Sequence, residues 1–291
     1  MRFIKIICLF LLLLLLTACG NPAAKPAEIA ATTGPVAQFA ETIVQGTGVT
    51  VVQVIADNVS CLHDYSLSVR QMEVLTGSRA VLLSGAGLED FMEDVLTSAD
   101  TVYDCSAGVP LLEADGHHHE EGGAGHHEHD PHIWLDPANA AIMAENICTA
   151  LTELYPVHKE TFRTNTDGLL TRLSALQAYG ERTLSGLSCR ELVTFHDGFA
   201  YFAHAFDLEI AAAIEEESGS EASAADLIEI IGVIRAHEVP AVFTEINGAV
   251  SAAAVIEAEI GVPHSALDMA MNGDYFAAMI HNIDTIKEAL S

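Results

Sequence analysis

The chain has 291 residues, enough for one large domain or two of ordinary size with a real core, which excludes whole-chain disorder. It carries 12 Lys and Arg against 41 Asp and Glu, a formal charge of −29; so negative a surface repels nucleic-acid phosphates and anionic headgroups and favours cations. The 14 histidines outnumber the basic residues, and the one long, almost uncharged run, Phe3 to Leu16, lies at the N-terminus, which excludes a polytopic membrane protein.

Arg2 and Lys5, the apolar run Ile6 to Leu16 and the small residues of Leu16-Thr17-Ala18-Cys19 look like a lipoprotein signal peptide over residues 1–18. That pattern implies cleavage before Cys19, a lipid on its sulfur, and an extracytoplasmic chain anchored to the cell membrane by acyl groups. Residues 19–27, small and proline-containing, read as a tether.

From residue 28 short β-rich runs alternate with helical ones. Ile29 to Thr33, Thr50 to Ile55, Ala80 to Ser84 and Thr101 to Asp104 read as strands; Val36 to Val44, Ser68 to Leu75 and Leu88 to Leu96 read as helices. Ala138 to Tyr155 is helical, and Phe162, Leu169, Leu173, Leu176, Leu184 and Leu187 continue at near-helical spacing. The alternation then resumes. Glu191 to Phe195, Leu208 to Ala212 and Ala241 to Thr244 read as strands, while Phe199 to Phe206, Ser223 to His237, Ala249 to Glu259 and Tyr275 to Leu290 read as helices. The expected fold is α/β: two βα-type lobes with parallel sheets, residues 28–155 and 189–291, joined by one long helix within 156–188. Ligands of open α/β sheets bind beyond the carboxyl ends of strands, so the site is expected in the cleft between the lobes.

Four cysteines lie in the body, Cys61, Cys105, Cys148 and Cys189, and outside the cytoplasm an even number suggests disulfides. Three pairings are possible; Cys61 with Cys105 and Cys148 with Cys189 keep each pair within one half of the chain.

Ligand-type side chains stand at loops: Cys61-Leu62-His63-Asp64-Tyr65-Ser66, Asp130-Pro131-His132-Ile133-Trp134-Leu135-Asp136-Pro137, Phe195-His196-Asp197-Gly198 and Ala266-Leu267-Asp268. Three imidazoles, from His63, His132 and His196, with one carboxylate would suit Zn²⁺ at about 2.0 to 2.2 Å. Residues 116–130 pack six further histidines among glycines and acids, too polar to bury a core, and read as a loop that collects metal weakly beside the cleft. The acidic run Glu215-Glu216-Glu217 with Glu221 reads as a solvated face.

These phrases, with Gly85-Ala86-Gly87-Leu88-Glu89 and Phe243-Thr244-Glu245, resemble the zinc and manganese solute-binding proteins of bacterial ABC importers. The resemblance covers nearly the whole chain after the tether, and His132 to Pro137 is its most specific phrase. It implies metal ligation by His63, His132, His196 and Asp268 between two lobes on one long helix, with Zn²⁺ as cargo. Histidine at 196 resembles the zinc branch more than the manganese branch, whose members tend to have a carboxylate there. Leu267-Asp268-Met269-Ala270 departs from the family's usual Leu-Asp-Pro-Leu, which leaves Glu245 or water open as the fourth ligand. The implied partners are a membrane permease and its separate ATPase, and a monomer is expected.

A surface metal buffer or adhesin without transport fits the same features. A zinc hydrolase is a weaker alternative: His127-Glu128-His129-Asp130-Pro131-His132 reads H-x-H-x-x-H, but Pro131 stands where a general-base Asp belongs. The sequence has no P-loop, G-x-G-x-x-G, G-x-S-x-G or H-E-x-x-H, so no enzyme is expected and an ATPase role is excluded.

Overall fold

The computed structural model describes residues 28–55, 65–113, 129–215, 223–246, 248, 250–271 and 273–291. His63, Cys61, Cys19, the leader and tether, most of the His-rich segment and Glu216, Glu217 and Glu221 lie outside the described residues.

The first lobe runs β1 (Glu28–Ala31), α1 (Gly34–Val44), β2 (Thr50–Gln53), α2 (Val69–Gly77), β3 (Ala80–Leu83), a short α3 (Glu93–Leu96) and β4 (Val102–Asp104). Helix starts are set by local chemistry. The Ser68 hydroxyl accepts the Gln71 N–H while the Gln71 side chain accepts the Ser68 N–H, a reciprocal cap on α2. Asp136 accepts the Ala138 N–H, and Pro137 follows as the first helical residue of α4 (Pro137–Leu154).

A single 3₁₀ turn at Pro156–His158 leads into α5 (Lys159–Leu184), 26 residues long. Its buried positions Phe162, Thr166, Leu169, Leu173, Leu176, Gly180 and Leu184 recur every three or four residues, as one helical face requires. That face packs on α1 and α4 of the first lobe and on the last helix of the second. Gly180 is required by packing, because a Cβ there would overlap the Phe206 ring.

The second lobe repeats the plan: β5 (Glu191–His196), α6 (Ala200–Ala205), β6 (Glu209–Glu215), α7 (Ala224–His237), β7 (Val242–Glu245), α8 (Ser251–Ile260), β8 (His264–Leu267) and α9 (Tyr275–Ala289). Strand β8 was not expected from the sequence; its four residues pair with β7 from Val242↔His264 to Glu245↔Leu267. Both sheets are wholly parallel, with orders β2-β1-β3-β4 and β6-β5-β7-β8. The strand order therefore reverses at β1/β3 in one lobe and at β5/β7 in the other, the points where such sheets open a crevice.

One buried apolar cluster runs through both lobes, from Ile29 and Phe39 through Leu169 and Leu173 to Tyr275 and Ile283. Polar contacts cross beside it: Gln38 donates to the Gly273 carbonyl at 2.6 Å and accepts the Tyr275 N–H at 2.9 Å, and the Tyr275 hydroxyl donates to the Trp134 carbonyl at 2.8 Å. Among the described residues, no helix is long and apolar enough to cross a membrane.

Cys105, Cys148 and Cys189 are free thiols, so the expected Cys148–Cys189 pair is not formed, while the Cys61–Cys105 pair involves a residue outside the described ones. Cys148 is buried on α4, whereas Cys189 lies in the segment entering β5 with its sulfur 3.7 Å from the Glu191 carbonyl. Membership in the same half of a chain does not bring two Cα atoms within the roughly 4.4 to 6.8 Å that a disulfide spans. Burial pushes the Cys105 thiol well above its ordinary pKa, which keeps it protonated and unreactive.

Candidate metal centre

His132 is buried just ahead of the 3₁₀ turn Ile133–Leu135. Asp130 shapes this segment twice: its Oδ1 accepts the His132 backbone N–H at 2.8 Å and lies 2.7 Å from His132 Nδ1. A carboxylate at Nδ1 fixes the tautomer with its proton there and leaves Nε2 as the lone-pair nitrogen. Trp134 meets the imidazole edge-on, with ring centroids 5.5 Å apart.

His196 ends β5, at the second sheet's switch point, and is also buried. The Thr194 hydroxyl donates to its carbonyl at 2.9 Å, and at its Nδ1 stands Glu245, the last residue of β7, with Oε1 3.4 Å away. Its Nε2 lies 3.3 Å from His132 Nε2, with the two rings nearly perpendicular at 84°. Two imidazoles, each backed by a carboxylate at Nδ1, thus aim their other nitrogens at one point between the lobes.

Two nitrogens each about 2.0 to 2.1 Å from a tetrahedral Zn²⁺ would stand about 3.3 Å apart. The observed separation of 3.3 Å equals that value and is also the reach of an N–H···N hydrogen bond between the two rings.

Gly198 makes this approach possible. A Cβ there would come within 2.6 Å of His196 Cδ2, 2.9 Å of its Nε2 and 2.8 Å of Met269 Cε. Any side chain at 198 would displace the imidazole.

Asp268 follows β8 and is half-buried; its Oδ1 accepts the Ala270 N–H at 2.8 Å. Among the described residues, no three His, Cys, Asp or Glu side chains form one metal-holding group, so the structure brings together His132 and His196 but does not close Asp268 onto them. Glu245 is buried with its Oε1 3.4 Å from His196 Nδ1.

The stems of the His-rich segment converge on the same place. Glu113 and His129 form an antiparallel bridge, Asp130 N–H donates to the Leu112 carbonyl, and Leu112 N–H donates to the Tyr201 hydroxyl of the second lobe. The outlying histidines sit elsewhere: His237 beside Glu191, His264 beside Glu257, and His204 3.7 Å from Asp136.

Asp130, Gly198 and Trp134 were not singled out as site-forming by sequence reasoning, although each lies within two residues of a predicted ligand. An acid two residues from a ligand histidine, and a glycine two residues beyond a strand-ending one, were the available signals.

Two parallel α/β lobes on one long helix, with buried imidazoles meeting at the cleft, define a solute-binding protein for a metal cation. Residues 29–289 match the family model for the zinc-uptake complex component A, periplasmic, and the chain belongs to that family. It is 29% identical over 266 residues to a putative metal-binding protein of Treponema pallidum (strain Nichols), covering 86% of this chain and 83% of that protein. It is 27% identical over 310 residues to the zinc-binding lipoprotein AdcA of Streptococcus pneumoniae serotype 4 (strain ATCC BAA-334 / TIGR4), covering 99% of this chain but 61% of the relative's length. A crystal structure of ZnuA superposes with a TM-score of 0.79 at 27% identity, covering 91% of this chain and 99% of that one. The family is one of solute-binding proteins and not of enzymes.

Proposed function

We propose that the protein captures Zn²⁺ outside the cytoplasm and hands it to an ABC-type importer, a permease driven by a separate ATPase. The observation that carries the reading is the 3.3 Å separation of His132 Nε2 and His196 Nε2, each imidazole having a carboxylate at its other nitrogen. His63 supplies a third imidazole and Asp268 the oxygen. Asp130 and Glu245 orient the two rings.

The nitrogen-rich donor set favours Zn²⁺ over Mn²⁺, which prefers oxygen ligands; Cu²⁺ and Ni²⁺ bind such sets tightly too, so physiological choice rests partly on supply. The segment 116–130, its stems pinned beside His132, collects ions weakly and raises their concentration at the cleft. Cys19 carries the lipid that holds the chain to the membrane. The protein makes and breaks no covalent bond.

The test has two parts. Competitive zinc titration of the chain starting at residue 20 is expected to give one tight site that survives deletion of residues 117–128 and is lost in His196→Ala. In the source organism, deleting the gene is expected to abolish high-affinity ⁶⁵Zn uptake in zinc-limited medium, with rescue by the wild-type gene and not by His196→Ala. Tight binding that vanishes with the loop and ignores His196 would refute the cleft assignment. Unchanged uptake would refute the transport role.

A further inference from the structure

Asn282 is fully buried on α9, among Met279, Ile283 and Ile286. An amide in such surroundings must find partners for its oxygen and its NH₂ group within the protein. The oxygen and one N–H go to a single residue: Asn282 Oδ1 accepts the Asp268 N–H at 2.7 Å, and Asn282 Nδ2 donates to the Asp268 carbonyl at 2.7 Å. Only one orientation of the amide satisfies both bonds, so the side chain is locked.

The place of this clamp is informative. The β7–β8 ladder ends at Glu245↔Leu267, with the Leu267 carbonyl taken by the Ile246 N–H. Asp268 is the first residue past that ladder, and Asn282 takes over the pairing a further strand residue would have given. The chain then turns sharply: Asp268 Oδ1 accepts the Ala270 N–H, and Ala270 has φ 54°, the left-handed region that an alanine rarely adopts.

The turn is tied to the imidazole pair. The Trp134 indole N–H donates to the Met269 carbonyl at 2.8 Å, and the same indole packs against His132. Met269 Cε and the His196 ring both border the space that Gly198 leaves open, 2.8 Å and 2.6 Å from where a Cβ would stand. The segment bearing Asp268 therefore runs past both histidines with its backbone fixed from its own lobe by Asn282 and from the first lobe by Trp134.

We infer that Asn282 is a positioning residue for metal capture: its amide, clamped on both backbone groups of Asp268, fixes where that carboxylate stands when the ion arrives. The inference rests on Asp268 being a ligand. A ligand held in place before binding loses less freedom on binding, and groups that orient metal ligands typically change affinity 10- to 100-fold.

The experiment is a double-mutant cycle of zinc affinity on the chain from residue 20, using Asn282→Asp, Asp268→Ala and both together, with thermal melting of each metal-free protein. Asn282→Asp keeps an acceptor for the Asp268 N–H and loses the donor to its carbonyl; Asn282→Leu removes both and is the harsher variant. Asn282→Asp is expected to weaken zinc binding about tenfold in the Asp268 background and by less than about twofold once Asp268 is alanine, while the melting shift stays the same in both. An equal loss in the two backgrounds would overturn the inference, because Asn282 would then act on the lobe and not on the ligand. So would unchanged affinity in Asn282→Asp and Asn282→Leu beside a weakened Asp268→Ala, which leaves the ligand assignment standing. Unchanged affinity in Asp268→Ala would remove the ligand assignment itself and this inference with it.

Discussion

The two sheets share one strand order and reverse at equivalent points, yet those points are built for opposite ends. At β1/β3 the carboxylate of Glu89 is buried and fully used, accepting the Thr32 hydroxyl at 2.5 Å, the Ser84 N–H at 2.8 Å and the Gly85 N–H at 3.0 Å. Thr33 and Ser84 hydrogen-bond to each other beside it, and Gly85, Ala86 and Gly87 all have positive φ, a tight turn held shut by that carboxylate. At β5/β7 the strand ends themselves offer His196 and Glu245, and the imidazole reaches across to the first lobe's His132. Topology provides two crevices, and the residue types at the strand ends make one a clasp and the other a candidate metal site.

The contrast can be broken most severely at the second point. His132→Ala and His196→Ala are each expected to abolish tight zinc binding, by more than the 10- to 100-fold typical of groups that only orient a ligand, as read by competition against a chromogenic chelator. Because imidazole must be neutral to bind, the wild-type affinity is expected to fall as pH drops through about 6, and a flat pH profile would contradict nitrogen ligation.

Asp130→Ala should cost less, roughly 10- to 100-fold, since it frees the His132 tautomer and leaves the ligand in place. Gly198→Ala comes next, at about tenfold, because the new methyl must push both the His196 ring and the Met269 methyl aside; its mark is weaker binding with little change in melting temperature. An affinity equal to wild type would show that the ring has room the structure does not give it.

The smallest effect on binding is expected at the clasp. Burial raises the Glu89 carboxyl from an ordinary 4.5 to about 7. The folded state therefore holds this proton more tightly than the unfolded chain, so its contribution to stability is complete below pH 4.5 and is lost as pH rises through 7. Glu89→Gln, which cannot ionise, should gain on wild type in melting temperature between pH 5 and 8 while binding zinc as before. A pH-independent gap between the two would argue that Glu89 stays ionised or protonated throughout.

Much of this was legible in the sequence, for identifiable reasons. The βα alternation and the spacing of Phe162, Leu169, Leu173 and Leu176 are local patterns, and they located the two sheets and the connecting helix. Strand β8 was missed because His264-Ser265-Ala266-Leu267 is short and begins with polar residues; its strand character comes from pairing with β7. His132 and His196 stood out in ordered phrases, but the direction in which their rings point did not, because it depends on Asp130 folding back and on Glu245 arriving from another strand. Asn282 looks like any polar residue on an amphipathic helix until the fold places Asp268 against it. The Cys148–Cys189 pair failed for the same reason, since spacing along a chain carries no distance across a core.

The most direct test of the shared site is the anomalous-scattering map of crystals of the zinc-loaded protein, phased across the zinc edge. One strong peak about 2.0 to 2.1 Å from both His132 Nε2 and His196 Nε2 is the expected result. A peak bound by only one of the two imidazoles, or one coordinated through Nδ1, would contradict it.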